Sequence, residues 1–288
     1  MKVSNLLKSL QKMNKMTFYD NVLKINIFDK NLSQKDDYLK IQFPNLDYGV
    51  ENHPVCVLSL KKASSMRFRN AEHNQNRLDF FSSLNIDINR VRQPELIHSK
   101  EVFNCFFDEN QNPVFESYLE KTKKNDKIVG DGIITQEKSF VPVITVADCV
   151  PIWFYDPISK VFGVVHSGWK GTGIIENGIA FASEKYNSKP EDFRVIIGPH
   201  IHACCYKVDE DREKYFNENF AKDSSENQML SLEKANIHVL EKVGVKSENI
   251  LACKNCTSCE TDFGSFRRET GANIEKPFTV MSAFTFWE

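Results

Sequence analysis

No stretch of this chain approaches the roughly 20 consecutive apolar residues that a membrane-spanning helix needs, so no membrane role is expected. Its start, Met1-Lys2-Val3-Ser4, leads into an amphipathic segment and not into a secretory apolar core. A cytoplasmic protein is the expectation. An excess of either charge is also missing, because 37 basic and 39 acidic side chains leave a formal net charge of −2. That balance argues against a general binder of nucleic acid or anionic membrane, which would need accumulated positive charge. Local basic clusters such as residues 121–124 are answered by Glu116, Glu120 and Asp126 and read as solvated faces. Internal repeats are absent, and no linker rich in Gly, Pro or Ser cuts the 288 residues. One domain over residues 1–288 is expected, with residues 1–50 a variable N-terminal part that carries no chemical motif. The eight cysteines do not look like a secreted disulfide framework, since they include an adjacent pair, Cys204-Cys205, and the run Cys253-x-x-Cys256-x-x-Cys259. Free thiols or metal ligands fit better.

What the chain does have is a series of apolar runs that end on polar, chemically capable residues. Residues 141–146 and 161–165 have the β-branched and aromatic content of buried strands. The first ends at Ala147-Asp148-Cys149, the second at His166-Ser167-Gly168-Trp169-Lys170-Gly171. Pairing the two as a hairpin brings Cys149 and His166 face to face if residues 151–155 continue the first strand. A thiolate beside an imidazole is either a Cys/His nucleophile pair or two ligands of a transition metal. A buried cysteine and a satisfied core histidine are the bland alternative, equally weighted on this pair alone.

Elsewhere the pattern predicts strands over residues 23–28, 55–60, 132–135 and 193–197. Helices are predicted over 74–84, with Leu78, Phe81 and Leu84 on one face, and over 174–186, with Ile175, Ile179 and Ala182 inward. Two more are predicted over 209–220 and 229–243, and Leu6, Leu7 and Leu10 also stand at helical spacing. His98, at the end of a short apolar step, is the best third partner for Cys149 and His166. A His/Cys/His set leaves a four-coordinate zinc one open position, as catalytic sites do. Copper accepts the same ligands. Cys253, Cys256 and Cys259 have spacing for an iron–sulfur cluster or a second zinc, with no fourth ligand evident nearby. His200 and His202 are read as an exposed loop.

Four segments taken together resemble one family. They are Ala147-Asp148-Cys149-Val150-Pro151, His166-Ser167-Gly168-Trp169-Lys170-Gly171, Ile197-Gly198-Pro199 with Cys204-Cys205-Tyr206, and Cys256-Thr257 followed by Ser265-Phe266-Arg267-Arg268. This is the laccase-domain family, described both as polyphenol oxidases and as purine nucleoside phosphorylases, and the resemblance covers roughly residues 75–272. It implies an α/β (α+β) protein with a four-layer α/β/β/α arrangement of mixed sheets, shared with a bacterial toxin whose Cys/His pair performs deamidation. It also implies one zinc ion, with copper as the alternative, on His98, Cys149 and His166. The implied reaction is phosphorolysis of adenosine, inosine and S-methyl-5′-thioadenosine, with adenosine deamination as a side activity.

Phosphorolysis needs positive groups to hold and aim phosphate, and the candidates are Lys170, Arg267 and Arg268. Asp148, beside the metal-binding cysteine, is a candidate acceptor for a ligand or a general acid/base. Departures from the family fall in the anion-binding shell. Leu96 and Ser99 replace a usual Gln and Gly, Ala272 replaces an Arg, and Lys170 replaces an Arg, keeping its charge but losing the bidentate fork. The family's N-terminal Ser-Thr-Arg loop is not visible before Asn76-Arg77, which leaves Lys61, Lys62, Arg67 and Arg69 to supply its charge. The expected partners are purine nucleosides and phosphate, without nucleic acid or membrane, and the expected assembly is a monomer or small homo-oligomer. Two other readings stay open at this point: a metal-free Cys149/His166 hydrolase or deamidase, and a non-catalytic binding or peptidoglycan-quality-control protein.

Overall fold

Apolar runs without polar alternation need cover on both faces, and here they find it by building two mixed sheets that pack against each other. The computed structural model describes residues 17–27, 33–34, 37–70, 72–124 and 127–288. The helical spacing of Leu6, Leu7 and Leu10 lies outside the described residues. Among the described residues the larger sheet has nine strands, in the order Leu23–Ile25, Ile250–Cys253, Arg194–Ile197, Val150–Tyr155, Phe162–Ser167, Gly132–Thr135, Val102–Phe107, Pro113–Ser117 and Lys123–Lys124. The smaller has six, in the order Ser33–Gln34, Tyr38–Gln42, Val55–Ser59, Met281–Phe286, Val141–Val146 and Val91–Arg92. Each contains parallel and antiparallel pairs.

Among the described residues there are four apolar cores, and the three that flank the central hairpin and the small sheet follow from the period-two alternation of these strands. Ile152, Phe154 and Val165 turn to one face of the large sheet, where the helices Ile174–Tyr186 and Leu232–Val243 pack with Ile175, Ile179, Ala182, Ala235 and Leu240. Trp153, Tyr155, Phe162 and Val164 turn to the other face and meet Ile144, Val146, Leu58 and Ala283 of the small sheet. Buried between the sheets, the Trp153 indole N–H donates to the Phe284 carbonyl at 3.0 Å. The far face of the small sheet, with Val57, Val143 and Phe284, is covered by Phe80 and Phe81 of the helix Gln75–Ser83.

Three expectations change. Residues 151–155 do not extend the strand Val141–Val146. That strand pairs with Met281–Phe286 and Val91–Arg92, while the chain crosses at 147–149 into the large sheet and starts a new strand, Val150–Tyr155. Phe80, Phe81 and Arg77 form the buried face of the first helix, and Leu78 and Leu84 are only half-buried. The guanidinium of Arg77 is accommodated because Nε and Nη2 both donate to Gln93 Oε1, at 3.1 and 2.7 Å. The last long helix begins at Leu232 and not at 229, because Ser231 caps it and Met229–Leu230 pairs instead with Ser225–Glu226. Among the described residues no helix is long and apolar enough to cross a membrane.

Candidate metal centre

The hairpin that matters is Val150–Tyr155 with Phe162–Ser167, whose register sets Pro151 opposite His166 and Val150 opposite Ser167. Cys149, one residue ahead of that hairpin, therefore lands beside His166 at its open end. His98 arrives from the loop before Val102–Phe107, which lies parallel to Gly132–Thr135 and so next to the hairpin. One ligand atom from each of His98, Cys149 and His166 lies within 4.8 Å of the others. The two imidazole rings stand nearly perpendicular, with centroids 4.9 Å apart. Gly168 permits the convergence, since a Cβ there would sit 2.9 Å from Cys149 Sγ and 3.4 Å from His98 Cδ2.

Two residues of the site carry left-handed backbone. His98 has φ +61° and Asp148 φ +81°, in the left-handed region that costs a side chain energy and persists only where neighbours hold it. What holds His98 is Asp131, a fully buried carboxylate that accepts the backbone N–H of His98 at 2.9 Å and of Ser99 at 2.6 Å, and the Ser99 hydroxyl at 2.7 Å. The same carboxylate accepts His166 Nδ1–H at 2.9 Å, which leaves Nε2 for the centre. Such a carboxylate–histidine pair is how proteins orient a metal-ligating imidazole. Asp131 is not among the site residues that the sequence suggests. The signal was a carboxylate placed just ahead of a wholly buried strand.

The electrostatics reinforce the geometry. Burial would raise the Cys149 thiol, but the charge of His166 and hydrogen bonds from His166 and His98 bring it down to about 6. Burial would likewise discharge His166, yet Cys149 and the hydrogen bond to Asp131 lift it to about 10. Burial raises Asp131, and its bonds to His166 and Ser99 outweigh that and hold it below the usual carboxylate range. The two opposed shifts favour a thiolate on Cys149 beside an imidazolium on His166. Two imidazoles and a thiolate form a donor set suited to zinc or copper, and the exposed position of His98 keeps one side open.

The remaining predicted residues divide. Asp148 is buried and fully engaged: Oδ1 accepts the Thr257 hydroxyl and Oδ2 the backbone N–H of Arg267, each at 2.6 Å. Its own carbonyl accepts the N–H of Ile201 at 2.9 Å. Arg268, expected among the phosphate-holding groups, makes its hydrogen bonds to backbone carbonyls. Its Nη1 donates to the carbonyls of Thr257 and Glu260, and its Nη2 to that of Phe263, so the guanidinium is occupied by backbone. Arg267 lies over the Tyr206 ring at 5.5 Å, with Nη2 on the Lys207 carbonyl at 3.2 Å. Lys170 is exposed, 5.3 Å from the Trp169 ring. Arg212, passed over in the sequence, sits 4.2 Å from the same ring and hydrogen-bonds Tyr206. Burial, followed by the nearby Cys149, pushes Tyr206 up to about 12. Trp169 follows Gly168, which packs on Cys149, and the Arg267 N–H binds Asp148 next to Cys149, so this cationic, aromatic rim borders the candidate centre. Lys61 and Arg69 are drawn away into ion pairs with Glu269 and Glu95.

Two clusters outside the centre also differ from expectation. His200 and His202 are not an exposed loop: His200 is fully buried, and the rings stack at 4.3 Å. His200 Nδ1 donates to the Gly198 carbonyl at 2.7 Å, burial drives its pKa down to about 3, and neither Nε2 finds a partner. Cys253 is separate from Cys256 and Cys259, because it belongs to the strand Ile250–Cys253 and is buried between the sheets. Cys256 and Cys259 meet Cys204 and Cys205 instead.

Two stacked mixed sheets that present two histidines and a cysteine at the open end of a hairpin define an α/β protein of the laccase-domain class, with a candidate metal site. The chain belongs to the multi-copper polyphenol oxidoreductase laccase family, whose sequence profile matches residues 47–275. A relative from Clostridium acetobutylicum, named a purine nucleoside phosphorylase, is 30% identical over 239 residues, covering 78% of this chain and 99% of that one. Another of the same name, from Borreliella burgdorferi, is 29% identical over 202 residues, 60% of this chain and 86% of that one. The fold matches the crystal structure of YlmD from Geobacillus stearothermophilus with a TM-score of 0.72 at 24% identity, over 92% of this chain and all of that one.

Proposed function

We propose that this chain is a metal-dependent purine nucleoside phosphorylase. The names of its relatives support the reaction, and one observation carries the site: His98, Cys149 and His166 converge in a cup that Asp131 orients and that opens onto the rim of Trp169, Tyr206, Arg212 and Arg267. In the reaction a phosphate oxygen bonds to ribose C1′ as the bond from C1′ to the purine nitrogen breaks, and the departing base takes up a proton. In this reading Arg267, Arg212 and Lys170 hold the phosphate charge, while Trp169 and Tyr206 offer faces for a purine. Asp148 fastens the loops that carry this rim. An ion on His98, Cys149 and His166 supplies Lewis acidity, and thiolate-plus-imidazole ligation in a reducing cytoplasm favours zinc over copper. The helix–sheet–sheet–helix stack is read as the four-layer arrangement shared with the toxin deamidase.

The test is incubation with adenosine, inosine or S-methyl-5′-thioadenosine with and without phosphate. Ribose 1-phosphate, or its methylthio analogue, and free base must form only with phosphate. Inosine from adenosine without phosphate reports the deaminase side activity. A second reading is favoured by the lowered Cys149 thiol beside His166 with Asp131 behind it, which is also the order of a nucleophile, base and orienting acid. In that reading the protein is a metal-free hydrolase or deamidase. One metal equivalent lost together with activity in His98→Ala rejects it; full activity with no metal on His98, Cys149 and His166 rejects the first.

A further inference from the structure

We propose that Cys204, Cys205, Cys256 and Cys259 form a second, structural metal site that binds one zinc ion through four thiolates. Their sulfurs all lie within 4.8 Å of one another. The measured separations are 3.8 Å for Cys204 to Cys205, 3.6 Å for Cys204 to Cys259 and 3.3 Å for Cys205 to Cys259. Zinc–sulfur bonds of about 2.3 Å in a tetrahedron put the sulfurs about 3.8 Å apart, so the four thiols already stand near the corners of a single-ion site. An iron–sulfur cluster would distribute its thiolates over several irons and hold them farther apart. A disulfide needs its sulfurs at about 2.05 Å, well inside these separations.

The backbone builds the site from two loops. Cys205 and Tyr206 both donate N–H to the His202 carbonyl, at 2.9 and 3.0 Å, which turns the first loop so that adjacent cysteines project to one place. In the second loop the N–H groups of Cys259 and Glu260 both donate to the Cys256 carbonyl, at 3.1 and 3.0 Å, making a tight Cys-x-x-Cys turn. A parallel bridge between His200 and Cys256 joins the loops, with Thr257 N–H donating to the His200 carbonyl at 3.0 Å. The His202 N–H donates to Cys256 Sγ at 3.4 Å, and the Ser258 side chain hydrogen-bonds Cys205, so both loops hold their sulfurs in place. Arg268 brackets the second loop through the Thr257 and Glu260 carbonyls and brings positive charge to a site whose four thiolates exceed the charge of the ion. All four positions are filled by protein, which marks a closed structural site in contrast to the open centre at His98, Cys149 and His166. On binding, each thiol releases its proton to solvent.

Full-length protein, purified under reducing conditions, is loaded with zinc and then with cobalt(II). The expected wild-type protein holds two equivalents of zinc if both sites fill. The Cys149→Ala protein keeps one equivalent, and its cobalt form shows the intense near-ultraviolet sulfur-to-cobalt bands and tetrahedral visible bands of four-thiolate ligation. Replacing Cys204 and Cys259 by Ser, both exposed and tolerant of change, removes that signature. A mercurial thiol reagent added to zinc-loaded Cys149→Ala protein releases one zinc as four thiols react. The proposal is overturned if Cys149→Ala protein binds no zinc or gives a cobalt spectrum without thiolate bands. A purified protein with iron–sulfur absorption, or one whose mass shows a disulfide among these four residues under reducing conditions, also overturns it. The readouts are metal content and spectrum, so failure here is distinguishable from failure of the phosphorylase reading.

Discussion

Replacing Asp131 by Asn tests the metal centre at its most connected point. The carboxylate takes four donors, the N–H groups of His98 and Ser99, the Ser99 hydroxyl and His166 Nδ1–H, in a fully buried position. An amide of the same shape keeps one acceptor oxygen and turns an NH2 group toward the other donors. Whichever way it flips, about two of the four donors lose their partner, and at about 1–3 kcal/mol for each unsatisfied buried group the variant should be about 2–6 kcal/mol less stable. His166 also loses the carboxylate that helps hold its pKa up, so that pKa falls from about 10. Loss of such an orienting acceptor typically weakens metal binding by about 10–100-fold. Zinc competition against a chromophoric chelator reads the affinity, urea unfolding reads the stability, and an NMR titration reads His166. An Asp131→Asn protein with wild-type zinc affinity, stability and His166 titration would refute the role assigned to this carboxylate.

Gly168→Ala should reduce metal affinity while leaving the fold intact, because its Cβ would press on Cys149 Sγ at 2.9 Å, and zinc content with far-ultraviolet circular dichroism checks both halves. Stability should decline below the unfolded histidine pKa of about 6.5, by up to about 1.4 kcal/mol per pH unit, down to about 3. The sign follows from proton counts: the unfolded chain binds a proton at His200 that the folded chain refuses, so acid favours unfolding. Urea midpoints measured across this range should flatten in His200→Gln, and an unchanged profile counts against burial as the cause. Arg267→Ala should raise the KM for phosphate with little loss of stability, whereas Arg268→Ala should lower the melting temperature first. Equal phosphate KM values in wild type and Arg267→Ala would remove Arg267 from the phosphate site.

Much of the fold was legible where one residue pattern served one environment. The helix Ile174–Tyr186 was read at its true bounds because a left-handed glycine, Gly173, precedes it and its apolar face is regular. The strand Met281–Phe286, central to the small sheet, went unread because Ser282 and Thr285 interrupt its apolar run although both are fully buried. His98, Cys149 and His166 were named from strand ends and family motifs, since ligand chemistry restricts residue type. Asp131 and Arg212 were not, because their roles come from tertiary placement: one lies between two glycines and the other on a helix of mostly charged and polar residues. The assignment of strands to sheets was also hidden, as a crossover at Asp148 and a hairpin turn leave similar local sequences.

The bond between Thr257 and Asp148 has a thermodynamic consequence. Asp148 precedes Cys149, Thr257 follows Cys256, and a 2.6 Å hydrogen bond joins the two, so the open metal centre and the four-cysteine cluster are two residues and one hydrogen bond apart. An ion that orders the Cys256–Cys259 turn thereby lowers the entropy left to lose when Cys149 is fixed, and the affinity of the open centre rises. Linkage makes the effect reciprocal: occupancy of either centre must change the affinity of the other by the same factor, and cutting the bond with Thr257→Val weakens the coupling while the links from Asp148 to Ile201 and Arg267 remain.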